Sequence, residues 1–358
     1  MLYFLKPAQH YLRKVSPMFR SRQGVRAALG GVVAVIALTA FGLTAFAASG
    51  APRTGDATVR IALDWTPNVD YLGIYVAIDK GFFAKEGIDP KIIPYANTPA
   101  ETLIKAGKTD LGISYPPDVI INRAEGLKYK AVAGLVAENT TALAVLASSP
   151  YTRPSQLNGK LYGGFGIQSD QPIVTAILKA DGVAKPVFKQ VVLSTGVTDA
   201  LKAKRVAYTA VFAGIDDVTA ALQGVKLRVF PYRKYLGAAG NYPNAVYVAS
   251  DAAIAKEGPA LGRALTALQE GYEWAAKHPA AAEQILIDEN KAALANAKNV
   301  VVATGNATAK AFVTSSGAWG YLSNADFAGL EKILAGGGVI KTIPAPSDLY
   351  TNALLPNG

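Results

Sequence analysis

An aromatic and polar turn, directly after the first strand-like segment, holds the residues best suited to bind a ligand. Asp64, Trp65 and Asn68 follow the apolar run Val59–Leu63, and a helical pattern that stops at a glycine comes next. Trp65 offers a flat stacking face, while Asp64 and Asn68 offer acceptors and donors for the edge of a heteroaromatic ring. In the alternative interpretation, Trp65 packs between lobes and Asp64 caps the turn. The pattern predicts a ligand pocket at the carboxyl edge of a sheet.

Polar residues also stand at two later transitions from strand to helix. Tyr115 ends a strand and Asp118 begins the next helix, so both should open onto the same edge of the sheet. Asp216 and Asp217 follow the strand Tyr208–Phe212, where paired acids either cap the helix N-terminus or contact a ligand.

The loop Gly163–Gly166 lies between a strand and a helix and presents backbone N–H groups at the helix start. Ser169 or Asp170 caps this helix, and two interpretations stay open: capping alone, or capping combined with ligand contact. Gln168 and Asp170 would pair with the polar edge of a bound ring. The loop is not G-x-G-x-x-G and the chain has no GKS/T sequence, so a nucleotide fingerprint is absent.

Residue counts exclude several kinds of chemistry. The 358 residues include no cysteine, and the two histidines are His10, near the amino terminus, and His278, at a helix end before a proline. Zinc sites with nitrogen or sulfur ligands, Cys–His pairs and most Ser–His arrangements are therefore excluded or strained. Hydrolysis by carboxylates alone stays formally open. We expect no cofactor and no metal.

The net charge of +10 comes mainly from the amino-terminal segment. Residues 1–47 carry six of these positive charges and no acid. The remainder lacks a dense basic run apart from Lys202–Arg205, which we interpret as a solvated helix end, so no nucleic-acid partner is expected.

The same segment has the features of an export signal. The uncharged stretch Ala27–Ala48 follows basic residues and ends in Ala45–Ala47, an A-x-A cleavage site. We predict that residues 1–47 are a signal peptide, with an uncleaved membrane anchor as the alternative. Either way, the rest of the chain lies outside the inner membrane. The missing lipid-attachment cysteine favours a periplasm.

Strand and helix patterns alternate along the rest of the chain. This order predicts a mostly parallel sheet with helices on both faces, followed by a second α/β unit and an Ala-rich helical tail. The prediction is two α/β lobes joined by two crossings, with a cleft that can close by hinge motion. We expect the first lobe over residues 56–144, the second over 145–242, and the return with the tail over 243–358.

Several motifs resemble the family of bacterial thiamine-pyrimidine-precursor binding proteins, whose fungal relatives are pyrimidine synthases. The resemblance runs from about Arg60 to Asn357 and is most specific at Leu63–Asn68 and Tyr350–Pro356. It implies the type II periplasmic binding protein fold, an ABC permease and ATPase as partners, and a formylated or free aminopyrimidine as ligand. Family pocket roles carry over onto Asp64, Trp65, Asn68 and Tyr115. We also expect a monomer.

The chain departs from the family pattern at three places, one of them in the second lobe. Gly214–Thr219 replaces an aromatic-rich Trp-Asn-Trp-Glu stretch, Val69–Tyr71 replaces a segment that often holds a polar residue and a histidine, and Asp118 replaces a glutamate. These changes leave a sulfonate, nitrate or flavin as alternative ligands. The fungal synthases need a lysine-bound pyridoxal phosphate, a histidine and a cysteine cluster, so we predict a binding protein and not an enzyme.

The candidate ligand-binding residues predicted from the sequence are Asp64, Trp65, Asn68, Tyr71, Tyr115, Asp118, Gln168, Ser169, Asp170, Asp216 and Asp217.

Overall fold

A computed structural model describes residues 56–193 and 196–356 of the chain. The predicted signal peptide or anchor, residues 1–47, lies outside the described residues. The strands of the described part, in chain order, are β1 (Ala57–Ala62), β2 (Ile88–Ile93), β3 (Leu111–Ser114), β4 (Tyr129–Gly134), β5 (Thr141–Leu146), β6 (Leu161–Gly164), β7 (Lys189–Val192), β8 (Tyr208–Phe212), β9 (Leu227–Pro231) and β10 (Val246–Ser250).

Helices connect most of these strands and form the carboxyl-terminal third. Three short 3-10 turns accompany them. The α-helices are α1 (Leu72–Asp79), α2 (Phe82–Lys85), α3 (Ala100–Lys105), α4 (Pro116–Ala124), α5 (Asp170–Ala180), α6 (Val197–Lys202), α7 (Asp216–Leu222), α8 (Tyr232–Leu236), α9 (Asp251–Lys277), α10 (Pro279–Glu289), α11 (Lys298–Ala311), α12 (Ala325–Gly336) and α13 (Pro346–Leu349).

The strands form two five-stranded sheets with equivalent topology. The first has the order β2-β1-β3-β10-β4 and the second the order β7-β6-β8-β5-β9. In each sheet one strand is antiparallel to its neighbours: β10 in the first and β5 in the second. The chain therefore crosses to the second sheet between β4 and β5 and returns between β9 and β10. The two predicted α/β lobes are confirmed.

The predicted boundary between residues 144 and 145 falls inside strand β5. Thr141–Ala144 already pair with β8, and Ala142–Leu146 pair with β9. The second lobe thus begins with the first residue of β5. The strand pattern of Thr141–Leu146 does not reveal its partner, because partner choice depends on strands that come 60 to 90 residues later.

Close packing of two helices fixes the loop after β1. Gly73 on α1 lies against the ring of Tyr272 on α9, where an added Cβ would come within 2.2 Å of a ring carbon. The Tyr272 hydroxyl donates to the Asp70 carbonyl oxygen at 3.0 Å and shares a hydrogen bond with Tyr247, and its ring stacks on Trp319 at 4.8 Å. The glycine permits this approach, and the tyrosine then holds the backbone beside the ligand-binding edge.

Helix α12 packs against α4 of the first lobe and α5 of the second. Its buried Phe327, Leu330 and Leu334 join a core that contains residues of both sheets. No helix within residues 56–193 and 196–356 combines the length and apolar character needed to cross a membrane.

Candidate ligand site between the lobes

Asp64 is the centre of a hydrogen-bonded group at the carboxyl edge of the first sheet. Its carboxylate accepts from the Tyr71 hydroxyl at 2.8 Å and from the Tyr115 hydroxyl at 2.5 Å. The Trp65 backbone N–H donates to the Tyr71 oxygen at 3.0 Å. Burial raises the pKa of Asp64, and the two tyrosine hydrogen bonds act in the opposite direction. Three predicted site residues, Asp64, Tyr71 and Tyr115, are thus brought together.

Asn68 shapes the turn that follows. Its side-chain oxygen accepts from the Asp70 N–H at 2.8 Å, and its amide donates to the Thr66 carbonyl at 3.0 Å. Both functional groups of Asn68 are engaged in local structure, so it positions the loop.

Trp65 lies at the rim of the site. Its side chain is 46% exposed, and its ring lies 5.3 Å from that of Tyr95, the aromatic residue shortly after β2. The Trp65 ring is therefore available to a ligand that enters the cleft.

Aromatic rings from the two lobes meet at the carboxyl ends of their strands. The rings of Tyr115 and Phe212 are nearly parallel, with centroids 6.4 Å apart and an interplanar angle of 12°. Phe165, which follows β6, continues the row at 6.0 Å from Phe212 and is 41% exposed. Sequence reasoning missed Phe165 and Phe212 as site residues. Their positions at the carboxyl ends of β6 and β8 were the available signal.

Carboxyl groups of both lobes converge around this aromatic row. Burial, together with the charges of Glu101 and Asp170, raises the pKa of Asp118 to about 7. Burial, together with the charges of Asp64 and Asp216, likewise raises the pKa of Asp70 to about 7. Asp70 and Glu101 were absent from the predicted set. Folding brings Asp216 of the second lobe to act on Asp70, and Asp64 to act on Glu101.

Residues at the start of α5 have mainly structural partners. Asp170 is buried, and its carboxylate accepts from the Gly166 N–H at 2.8 Å, from Gln190 at 2.8 Å and from the Tyr162 hydroxyl at 3.1 Å. Ser169 is 1% exposed, and its side chain does not cap α5. Asp170 therefore orders the loop that presents Phe165.

Gln168 is exposed and reaches across to the first lobe. Its amide donates to the Glu125 carboxylate at 3.3 Å. This contact joins the two lobes at the rim.

Asp216 and Asp217 close the turn between β8 and α7. Asp216 accepts from the Phe212 N–H at 2.7 Å and Asp217 from the Gly214 N–H at 2.6 Å. The two N–H groups precede α7, so both acids order the turn before the helix and do not cap it; Ile215, the N-cap of α7, makes no side-chain capping hydrogen bond. Asp216 also contributes negative charge to the site, since it raises the pKa of Asp70.

The assembled site is aromatic and acidic. The charged groups that shift the pKa values of Asp64, Asp70, Glu101 and Asp118 are all carboxyls, and neither lysine nor arginine is among them in the described part of the chain. No set of three or more histidines and carboxylates within residues 56–193 and 196–356 is arranged to hold a metal ion. Such a site favours a flat ligand that donates hydrogen bonds or carries positive charge.

The raised pKa values of Asp70 and Asp118 predict a stability that falls with pH. Between the ordinary aspartate pKa near 4 and the folded value of about 7, the folded protein holds protons that the unfolded chain has released. The ligand-free protein should thus be more stable at pH 5 than at pH 8, by about 5 kcal/mol for the two groups together or a Tm difference of about 10 °C.

Thermal melts followed by circular dichroism would measure this difference. Asp70→Asn and Asp118→Asn should each raise Tm at pH 8 and leave it nearly unchanged at pH 4.5. The exposed Asp199→Asn serves as control and should preserve the pH dependence. If the Tm of all three variants depended on pH in the same way, Asp70 and Asp118 would not be the groups that bind the protons.

Two α/β lobes have equivalent strand order, and the carboxyl edges of their sheets face each other. This arrangement defines a periplasmic binding protein fold. The periplasmic aliphatic sulphonate binding protein SsuA of Escherichia coli superposes with a TM-score of 0.61, covering 83% of this chain and 99% of that one at 14% identity. At this identity the likeness establishes the fold alone.

Residues 68–282, more than half of the chain, match the family described as NMT1/THI5 like, and the protein belongs to this family. The formylaminopyrimidine-binding protein of Halalkalibacterium halodurans is 28% identical over 235 residues, covering 64% of this chain and 70% of that protein. The 4-amino-5-hydroxymethyl-2-methylpyrimidine phosphate synthase of Uromyces fabae is 35% identical over 111 residues, covering 30% of this chain and 32% of that enzyme.

Proposed function

We propose that this protein is the extracytoplasmic solute-binding component of an ABC importer and binds an aminopyrimidine precursor of thiamine. The observation that carries the proposal is the meeting of an aromatic row with buried carboxyls: Tyr115 and Phe212 supply ring faces, and Asp64 supplies acceptors. The family and the relative named for formylaminopyrimidine support the same ligand class.

The aromatic row suits a flat ring. Tyr115 belongs to the first lobe and Phe212 to the second, so a ring inserted between them would contact both lobes at once. A ligand shifts the open–closed equilibrium only by its difference in affinity for the two states. Stacking on both rings is available only when the lobes approach, and it would stabilise the closed state.

The carboxyl groups select among ligand charges. An aminopyrimidine has an exocyclic amino group that donates and ring nitrogens that can take up a proton, which complements carboxylates. A sulfonate or nitrate would meet the carboxyls of Asp64, Asp70 and Asp118 without a cation to offset its charge, and it would repel each of these groups in its ionised form. We therefore propose an aminopyrimidine as the ligand in preference to a sulfonate or nitrate.

The charged groups around the site also argue against catalysis by a Schiff base. A pyridoxal phosphate enzyme needs a lysine at the site, and the groups that influence the cleft carboxyls are acids and tyrosines. The match to the synthase covers only about a third of each chain. We propose a binding protein without a cofactor, exported by the amino-terminal segment to the periplasm, where it would act as a monomer with a permease and an ATPase.

Isothermal titration of residues 48–358 would test the function directly. The probes are formylaminopyrimidine, free 4-amino-5-hydroxymethyl-2-methylpyrimidine, an alkanesulfonate, nitrate and riboflavin. We expect a Kd of about 1 µM or lower for an aminopyrimidine, equivalent to about −8 kcal/mol. Binding of a sulfonate or nitrate with no response to either pyrimidine would overturn the ligand class. An absorbance band on adding pyridoxal phosphate, with turnover, would favour the enzyme.

A further inference from the structure

The second lobe carries all of the excess positive charge of the described protein. Residues 141–240 contain 12 lysines and arginines and five acids, whereas acids outnumber bases in the rest of the described chain. Two of the five acids, Asp216 and Asp170, belong to the ligand cleft, and Asp181 pairs with Arg153 at 2.9 Å. The positive charge must therefore lie elsewhere on this lobe.

The strand directions gather these charges at one edge. Strands β6, β7, β8 and β9 all run the same way, because β6 pairs in parallel with β7 and β8, and β5 is antiparallel to both β8 and β9. Basic residues precede or begin each of these four strands. We call this set the basic edge: Lys160, Lys189, Lys202, Lys204, Arg205 and Lys226.

The basic edge is remote from the ligand cleft, and its positive charges form no ion pairs within the described part of the chain. The cleft residues Phe165 and Phe212 lie at the carboxyl ends of β6 and β8, so a strand of four or five residues, about 15 Å, separates the two edges. All six side chains of the basic edge are exposed, and none takes part in an ion pair among the described residues. Asp199 on α6 is the acid nearest to them in sequence.

Lys204 adds an independent observation, because it occupies a backbone conformation that favours glycine. Helices α3, α4, α5 and α7 all end in the same hydrogen-bonded turn, with Gly107, Gly126, Gly182 and Gly224 at the position of positive φ. In α6 the equivalent position is Lys204, with φ of 55° and the same two backbone bonds from residues 204 and 205. A charged side chain thus stands where glycine would be less strained.

Two exposed apolar side chains flank the lysines. Val187, 60% exposed, lies just before β7, and Leu222, 49% exposed, ends α7 shortly before Lys226. Lysines around small apolar projections suit a membrane surface, where ammonium groups meet anionic headgroups and apolar side chains enter the interface. Lysine predominates over arginine in the basic edge. Lysine suits a partner with a diffuse layer of negative charge, whereas arginine suits a carboxylate that is bound by two parallel hydrogen bonds.

We propose that the basic edge docks the second lobe onto an anionic phospholipid surface. The contact would leave the cleft free, because the ligand-binding residues lie at the opposite edge of the sheet. It would also confine the protein to the membrane plane, where a permease is found. The docking does not depend on the ligand assigned above, so the two proposals can fail separately.

Co-sedimentation of residues 48–358 with vesicles would test the docking, because this segment forms a compact unit. Vesicles of phosphatidylcholine with 30% phosphatidylglycerol should bind the protein at 50 mM NaCl and release it at 300 mM, and pure phosphatidylcholine should not bind it. Each removed charge should weaken binding about fivefold. The triple variant Lys160→Gln/Lys189→Gln/Lys226→Gln should therefore bind about a hundredfold more weakly.

Two further variants distinguish docking through the basic edge from an effect of net charge and from an effect of misfolding. The first-lobe triple variant Lys105→Gln/Lys108→Gln/Lys310→Gln has the same net charge and should bind like the unmodified protein. Lys204→Gly should raise Tm while lowering vesicle binding about fivefold. Equal loss in both triple variants would overturn the proposal. So would binding to polyglutamate without binding to anionic vesicles, since this result would identify an acidic protein as the partner.

Discussion

Asp64→Asn should lower the affinity for formylaminopyrimidine at least a hundredfold, equivalent to about 3 kcal/mol. The carboxylate accepts from both Tyr71 and Tyr115, and both hydroxyls stay protonated because burial and the nearby charge of Asp64 raise the pKa of each tyrosine. An asparagine has one acceptor oxygen in place of two and turns an N–H₂ group toward a donor. The variant thus loses the negative charge and leaves a buried donor without a partner.

Calorimetric titration at pH 7.5 would measure the loss. Asp199→Asn removes the same charge from an exposed site on α6 and should leave the Kd unchanged. Tyr115→Phe and the double variant complete a cycle, whose coupling energy should exceed about 1 kcal/mol because the two side chains act as one unit. A change of less than threefold in the Asp64 variant would place the ligand elsewhere.

Gly73→Ala should lower the stability of the protein by about 3 kcal/mol and the Tm by about 6 °C. The new Cβ would lie 2.2 to 2.4 Å from three ring atoms of Tyr272. This ring cannot move aside freely, because it stacks on Trp319 and its hydroxyl bonds to Tyr247 and to the Asp70 carbonyl. Forcing a methyl group into such packing costs about 1–3 kcal/mol and can cost more where the neighbours are fixed.

Gly336→Ala provides the matched control. Gly336 ends α12, has no positive φ, and no atom lies within 4 Å of the Cβ that alanine would add. Alanine is a better helix former than glycine, so this variant should have an unchanged or slightly higher Tm. A Gly73→Ala variant as stable as the Gly336→Ala variant would show that α1 and α9 can separate without loss.

The order of strands and helices could be predicted because its signals are local. The apolar run Val59–Leu63 and the predicted strand Tyr208–Phe212 lie within two residues of the observed β1 and β8. The assignment of β5 to the second sheet could not be predicted in the same way. Its apolar pattern suits either sheet, and its partners β8 and β9 come much later in the chain.

The same distinction between local signals and long-range contacts applies to the individual site residues. Asp64 and Tyr115 follow strands directly, so the sequence placed both at a sheet edge, and the structure joins them by a hydrogen bond. Asn68, Asp170 and Asp217 have the same kind of position, but their side chains bind backbone N–H groups of their own turns. For Asp170 and Asp217 the sequence left two roles open, capping and ligand contact, because both roles use the same acceptor atoms.

By itself the sequence determined the α/β alternation, the aromatic and polar turn at Leu63–Asn68 and the family, because these depend on residues close together in the chain. Only the tertiary structure decided that Tyr115 meets Phe212 across the lobes and that Asp70 and Asp118 share negative surroundings. The pairs that span the lobes, Tyr115–Phe212, Asp70–Asp216 and Asp118–Asp170, are about 50 to 150 positions apart. Their chemistry follows from burial and mutual charge, which exist only once the chain has brought the two sheet edges face to face.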